Sequence, residues 1–361
     1  MKLAMIGFGQ AGGKIVDKFL AYDERHNSDI VRAAVAVNTA KADLMGLENI
    51  PQESRVLIGQ SRVKGHGVGA DNELGAEIAE EDIDEVQGAI DSIPVHEVDA
   101  FLVVAGLGGG TGSGGAPVLV RELSRVYDVP VYALGVLPGR DEGAMYHVNA
   151  ARSLKTLVSQ ADSTLLVDND AWRSSGESVE AGYESINQAV AQRIGLLLAS
   201  GEAVDGIGES VVDASEVINT LRGGGIAAVG YASAEAAPDA AENISVVTSL
   251  TRQAVRSGMS LQDASTAESA LLVVAGRPEA IPRKGTERAR KWLEEETDSM
   301  EVRGGDFPLD SDRLAVLVVL SGLERSEAVQ RFIARAKQFK RDEEKRDDPE
   351  MFQNDRLDNL L

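Results

Sequence analysis

The chain has 361 residues, enough for two domains with proper cores, and is 43% hydrophobic but only 4% aromatic, so its core is rich in Val, Leu, Ile and Ala, as in α/β proteins. A formal net charge of −22 argues against nucleic-acid binding, which needs a positive field. With no cysteine, disulfides and thiolate metal sites are excluded; His26, His66, His96 and His147 lack metal-ligand spacing, so neither a metal-ligating set nor a zinc enzyme is expected.

The acidity is spread along the chain, and 25 Arg stand against 11 Lys. That balance reads equally as adaptation to a high-salt cytoplasm, where screening suppresses self-repulsion, or as an ordinary acidic protein. The sequence enters an apolar strand at residues 3–6, leaving no room for a signal peptide. Nothing approaches a membrane span, so a cytoplasmic protein is expected. A helical stretch at 13–22 and a second strand at 33–37 complete a βαβ unit, which implies a parallel sheet covered by helices. Strands follow at 101–105, 131–136 and 164–167, with helices near 117–127 and 149–160. From 178 to 198 an uninterrupted helical pattern carries Tyr183, Ile186, Val190, Ile194 and Leu197. Beyond Gly206 a second α/β unit is expected, with strands at 227–232, 270–275 and 314–320 and helices near 243–257 and 286–296. A last helix at 328–339 gives way to the charge run 340–348, read as a solvated tail. Met351, Phe352, Leu357, Leu360 and Leu361 on that tail are the candidate for a partner-docking peptide.

Two glycine-rich turns carry the chemistry. Gly7-Phe8-Gly9-Gln10-Ala11-Gly12-Gly13 follows the first strand with G-x-G-x-x-G spacing, which permits a tight turn and close approach to a pyrophosphate. Gly108-Gly109-Gly110-Thr111-Gly112-Ser113-Gly114 lies between the strand at 101–105 and a helix expected to start at Ala116. Strand, glycine turn and helix together present backbone N–H groups and a helix N-terminus to an anion. A hydride-transfer enzyme of the dinucleotide-binding type would want a carboxylate ending the second strand. Here that strand ends in Val37-Asn38-Thr39, which makes the NAD-binding oxidoreductase the runner-up.

These two loops, Val37-Asn38-Thr39 between them, and Gly67-Val68-Gly69-Ala70-Asp71-Asn72-Glu73-Leu74-Gly75, taken in this order, resemble the tubulin/FtsZ superfamily, of which GGGTGSG is the signature loop. The resemblance covers roughly 1–335. Gln10-Ala11-Gly12 is tubulin-like and the 67–75 loop is closer to FtsZ; the mixture, with the acidic composition, most resembles the archaeal CetZ branch. It implies a parallel-sheet GTPase domain (1–177), a central linking helix (178–201), a second α/β domain (202–336) and a charged tail (337–361).

The resemblance further implies a GTP or GDP site formed by Gly9, Gln10, Ala11, Gly12, Asn38, Gly69, Ala70, Asp71, Gly108, Gly109, Gly110, Thr111, Gly112, Ser113 and Gly114, with Mg²⁺ held mainly through phosphates and water. Pro138-Gly139-Arg140-Asp141-Glu142-Gly143 falls where FtsZ has its ribose loop, making Glu142 the ribose acceptor. The arginine that FtsZ places four residues beyond that Glu is Tyr146 here, and Arg140 is the candidate substitute. Asn169 and Asn187 match the residues that contact guanine, and Tyr183 the aromatic that stacks on it. Tyr183 and Asn187, four apart, share one helical face; by its pattern alone Tyr183 reads as a core aromatic. Val212-Asp213-Ala214-Ser215-Glu216-Val217 aligns with the loop that one subunit inserts over its neighbour's nucleotide, with Val211 replacing the family's Asn. Asp213 and Glu216 are the implied catalytic carboxylates, although acids three apart also suit a helix start. The expectation is a GTPase that self-associates head to tail into filaments, shaping or moving the cell. An FtsZ-like division GTPase and a non-hydrolysing binder are the alternatives.

Overall fold

The apolar runs spaced along the sequence lie side by side in one sheet. The computed structural model describes residues 1–172, 179–201, 212–262, 264–323 and 325–346. The first half comprises β1 (Leu3–Phe8), α1 (Gly9–His26), β2 (Val31–Asn38), α2 (Lys41–Met45), β3 (Arg55–Leu57), α3 (Gln60–Val63), α4 (Asn72–Glu81), α5 (Ile83–Ile90), β4 (Ala100–Gly106), α6 (Thr111–Val126), β5 (Val131–Leu137), α7 (Ala144–Gln160) and β6 (Ser163–Asp168). After α8 (Val179–Ser200) come α9 (Ala214–Leu221), β7 (Ile226–Glu235), α10 (Asn243–Arg256), β8 (Ala264–Thr266), β9 (Ser269–Gly276), α11 (Arg283–Thr297), β10 (Glu301–Pro308), β11 (Arg313–Ser321), β12 (Arg325–Ser326) and α12 (Glu327–Arg346).

The main sheet runs β10-β9-β11-β7-β6-β5-β4-β1-β2-β3. From β3 to β6 all pairings are parallel, whereas β11 is antiparallel to both β7 and β9. The two expected units join through a short parallel pairing, Thr164 with Ile226 and Leu165 with Ala227. Both faces are covered: Phe8, Phe101 and Val103 feed one core, while Met5, Leu102 and Val104 feed the other. Burial on both sides is why these strands read as continuous apolar runs.

Several boundaries depart from the sequence reading. α6 begins at Thr111, five residues before Ala116, and contains Pro117. Glycine disfavours helix, but tertiary packing decides here. A Cβ at Gly114 would lie 2.2 Å from the Asn72 carbonyl oxygen, and one at Gly115 would lie 2.1 Å from the Phe8 ring. Likewise α1 starts at Gly9 rather than at 13. Gly195 on α8 gives the Tyr22 ring of α1 room, since a Cβ there would sit 2.7 Å from it. β10 carries two glycines and five residues of intermediate exposure, the weak pattern of an edge strand. The last helix does not stop before the charge run. α12 continues to Arg346, because Lys, Arg and Glu are good helix formers and Gln338 Nε2 donates to Asp342 Oδ1 at 2.9 Å one turn on. The apolar residues at 351–361, like Ser178, Gly206 and Val211, lie outside the described residues.

Candidate functional site

The C-terminal ends of β1, β2, β4, β5 and β6 release loops that enclose one cavity of about 660 Å³. Open parallel sheets bind ligands along this edge, and the volume suits a nucleotide. Its floor is formed by the first turns of two helices, α1 through Gly9, Gln10 and Ala11 and α6 through Thr111 and Gly112. Unbonded N–H groups at helix starts favour negative charge. Gly9 has φ of 75°, and a Cβ there would press on Gly112 N at 2.8 Å, so the two glycine loops touch backbone to backbone. At Gly109 a Cβ would meet nothing within 4 Å; that position faces open space.

The loops are fastened to one another from behind. Thr39 Oγ1 and Thr111 Oγ1 share a buried hydrogen bond of 2.7 Å. Asn149 of α7 donates from Nδ2 to the carbonyls of Ala70 at 2.7 Å and Gly108 at 3.1 Å. Ser113 Oγ donates to the Gly109 carbonyl. Gly69 and Ala70 both adopt left-handed φ, 60° and 66°, and line the cavity with Gly67 and Val68.

At the other end Pro138, Glu142, Asn169, Tyr183 and Asn187 line the wall. Glu142 Oε1 accepts from Gly139 N at 2.7 Å and Asn169 Nδ2 at 3.4 Å. Asn38 and Asn187 are buried. Tyr183 is 40% exposed, which rejects the core-aromatic alternative.

Five expected residues do not reach the lining. Gly12 packs on the Val104 carbonyl, where a Cβ would lie 2.1 Å away. Gly114 packs on α4. Asp71 caps α4 by accepting from Leu74 N at 3.0 Å, and Ser113 supports the loop. Arg140 turns to Asp170, with Nε 3.2 Å from Oδ2. It lines an adjoining cavity of about 350 Å³ with His147, Asp168 and the α12 residues Arg331, Phe332 and Arg335. Burial pushes the Asp168 carboxyl up there. Arg140 thus stays outside the lining of the main cavity, whereas Tyr146 is part of it. Lys14, Asp43 and His66 also line it without having been expected. Lys14 was findable, since it falls four residues after Gln10 on the same face of α1. Asp43 arrives from the short helix α2 and His66 from the loop after α3, segments that carry no pattern of their own.

Asp213 and Glu216 lie at the opposite edge of the sheet. The Met1 amino group donates to the Leu198 carbonyl at 2.8 Å, and a Cβ at Gly201 would sit 3.2 Å from both Met1 N and Ala214 Cα. The carboxylates thus flank the start of β1, whereas the cavity lies at its end, on the order of 20 Å along the strand. Asp213 caps α9, accepting from Glu216 N at 3.1 Å and Ser215 Oγ at 2.5 Å. The Ser215 hydroxyl, then the Glu216 N–H, hold its carboxyl below the usual range. Burial, then the neighbouring Asp213 charge, push Glu216 up, and its Oε2 has no hydrogen-bond partner.

Among the described residues no group of three His, Cys, Asp or Glu could hold a metal ion, and no helix is long and apolar enough to cross a membrane. Residues 2–177 match the tubulin/FtsZ family GTPase domain, and residues 176–338 match the tubulin-like CetZ C-terminal domain. The chain is 61% identical to the tubulin-like protein CetZ2 of Haloferax volcanii, covering 100% of both chains. It is 35% identical to the tubulin-like protein CetZ of Pyrococcus abyssi, covering 95% of this chain and 91% of that one. The solved GTPγS-bound protofilament of Haloferax volcanii CetZ2 superposes with a TM-score of 0.91 at 60% identity, over 95% of this chain and 100% of that one. The GDP-bound monomer of CetZ1 from the same organism gives 0.87 at 60% identity, over 94% and 99%.

Proposed function

The chain belongs to the tubulin/FtsZ family, in its CetZ group, and on that footing we propose that it binds and hydrolyses GTP in the cytoplasm and assembles head to tail into filaments that control cell shape or motility. The observation that carries this reading is the separation of the cavity from Asp213 and Glu216. A nucleotide held at the end of β1 is out of reach of carboxylates at its start. Stacking one subunit on the next brings the α9 start of one over the cavity of the other. Such a contact is heterologous and open, so it propagates. The relative solved as a GTPγS-bound protofilament supports it.

In this reading the loops around Gly9, Gly69 and Gly108–Thr111 hold the phosphates through backbone N–H groups. Tyr183 stacks on the base, and Asn169 and Asn187 read its edge. The incoming Glu216, with Asp213 beside it, orients a water whose oxygen attacks the γ-phosphorus as the bond to the β–γ bridging oxygen breaks, yielding GDP and phosphate. Mg²⁺ would be carried by the phosphates and water, neutralising charge there. Loss of the γ-phosphate then weakens the interface.

The test is the GTPase rate per molecule against protein concentration, in high salt. A cooperative rise is expected; a flat rate marks a monomeric enzyme, and tight GTP binding without phosphate release an inert binder. NAD offered alongside GTP should give no thermal stabilisation, and a preference for NAD would restore the oxidoreductase reading.

A further inference from the structure

The smaller cavity, of about 350 Å³, meets the larger one across Pro138 and lies between the first domain and α12. Three arginines line it, Arg140 from the loop after β5 and Arg331 and Arg335 from α12, in a chain of net charge −22. Arg331 and Arg335 are exposed and, four residues apart, share one helical face. Arg140 Nε pairs with Asp170 Oδ2 at 3.2 Å, and Arg331 Nη1 lies 3.4 Å from Glu327 Oε2. Arg335 forms no hydrogen bond or ion pair with a described residue.

His147 of α7 supplies the inner wall. It is fully buried, its ring set against Phe332 and Phe339 of α12 at centroid distances of 5.8 and 5.4 Å. Its Nδ1 lies 3.2 Å from the Gly143 carbonyl oxygen, which can only accept, so Nδ1 carries a proton. In the neutral ring Nε2 is then an acceptor, and it is buried with no hydrogen-bond partner. Asp168 lines the same cavity; burial pushes its carboxyl up, while the Arg140 and Arg335 charges draw it back. A buried acceptor wants a donor, and the guanidiniums at the mouth want an anion.

We propose that this cavity is a binding site for a small hydroxylated phosphate monoester, with its phosphate on Arg335, Arg331 and Arg140 and a hydroxyl donating to His147 Nε2. Guanidinium forks match phosphate oxygens, and three of them disfavour a cationic ligand. The volume exceeds what phosphate alone fills and leaves room for a short polyol. None of these four side chains lines the nucleotide cavity, so the site goes beyond the nucleotide reading and does not depend on it.

The experiment measures Kd by calorimetry for glycerol 3-phosphate and for propyl phosphate, which lacks the hydroxyls. The full chain is first saturated with GDP to fill the phosphate loops of the larger cavity. Failure of GDP to bind bears on the nucleotide reading alone, and the titration is then run on the free chain. Glycerol 3-phosphate should bind roughly fivefold or more tighter than propyl phosphate. Arg335→Ala should weaken both probes roughly tenfold, and Arg335→Lys should recover part of the loss. His147→Asn, whose amide can still donate to Gly143, should remove the preference for the hydroxylated probe and leave propyl phosphate unchanged. The site is overturned if neither probe binds, or if Arg335→Ala has no effect. Equal affinity for the two probes in the unsubstituted chain overturns it as well, because water then serves Nε2. That comparison decides the point even where His147→Asn does not fold.

Discussion

Asn149 Nδ2 donates to the Ala70 carbonyl oxygen at 2.7 Å, tying a loop that follows β3 to a helix that follows β5. The same amide reaches Gly108, so one buried side chain spaces two loops of the cavity.

Replacing Asn149 with Ala strands two carbonyls, which costs about 1–3 kcal/mol, and frees the loops. The expected result is a Tm lower by a few degrees together with weaker GTP binding, and excess GTP should recover part of the loss. A drop in Tm with unaltered nucleotide affinity would show that Asn149 merely fills space.

Two glycines of the signature run should separate binding from folding. Gly109 has open space where its Cβ would go, while a Cβ at Gly114 would strike the Asn72 carbonyl oxygen at 2.2 Å. Gly109→Val should fold with a near-normal Tm but lose nucleotide, because the added methyls enter the cavity. Gly114→Ala should lower Tm sharply, with melting curves and calorimetry distinguishing the two.

Glu216→Ala should leave GTP affinity and Tm close to normal, because its Oε2 has no hydrogen-bond partner to lose. Turnover should fall at least a hundredfold, on the order seen when a charge-stabilising group is removed, and filaments should persist by light scattering. Asp213→Ala should in addition cost about 1 kcal/mol by uncapping α9. Unchanged GTPase in Glu216→Ala would sink the shared-site idea.

The acid limb of turnover should reflect Glu216. Burial, then Asp213, raise its carboxyl above the ordinary glutamate value, so the active carboxylate is lost on acidification at a higher pH than an exposed glutamate would allow. For stability the sign is opposite. A raised acid favours the folded state while protonated, so this contribution is present at low pH and lost as pH rises through the folded pKa. Asp213, lowered chiefly by Ser215, stabilises above its unfolded value and loses that support as pH falls through the folded pKa. A pH–rate profile of the assembled protein, with Glu216→Asp for comparison, checks the limb.

Arg140→Ala should change GTP affinity by less than about threefold. Its guanidinium pairs with Asp170 on the far side of the Pro138 loop, and an exposed pair contributes about 0–1 kcal/mol. A tenfold loss, by calorimetry, would place Arg140 back at the nucleotide.

Elements with a strong period were legible. β1, β4, β5 and β6 differ from their expected limits by a residue or two, since burial on both faces writes an apolar run into the chain. Much of 40–99, with α2 to α5 and β3, carried no period to read, and β10 was missed because an edge strand hides little surface. The glycine loops were legible as loops. That Gly112 and Gly114 are helical packing residues was not, because a glycine records only the absence of a side chain, not the neighbour that demands it.

Sequence alone offered backbone-rich turns suited to an anion, a local property set by residue type and spacing. The roles of Tyr183 and Asn187 toward a base, and of Asp213 and Glu216 in catalysis, came only from the resemblance. Direction was decided only by the tertiary structure. Parallel strands put every loop of the cavity at one edge of the sheet, and α8, 22 residues long and so roughly 33 Å, delivers the chain to the other. Arg140 turned away and Lys14 turned in for the same reason: where a side chain points depends on how elements pack, which no stretch of sequence holds by itself.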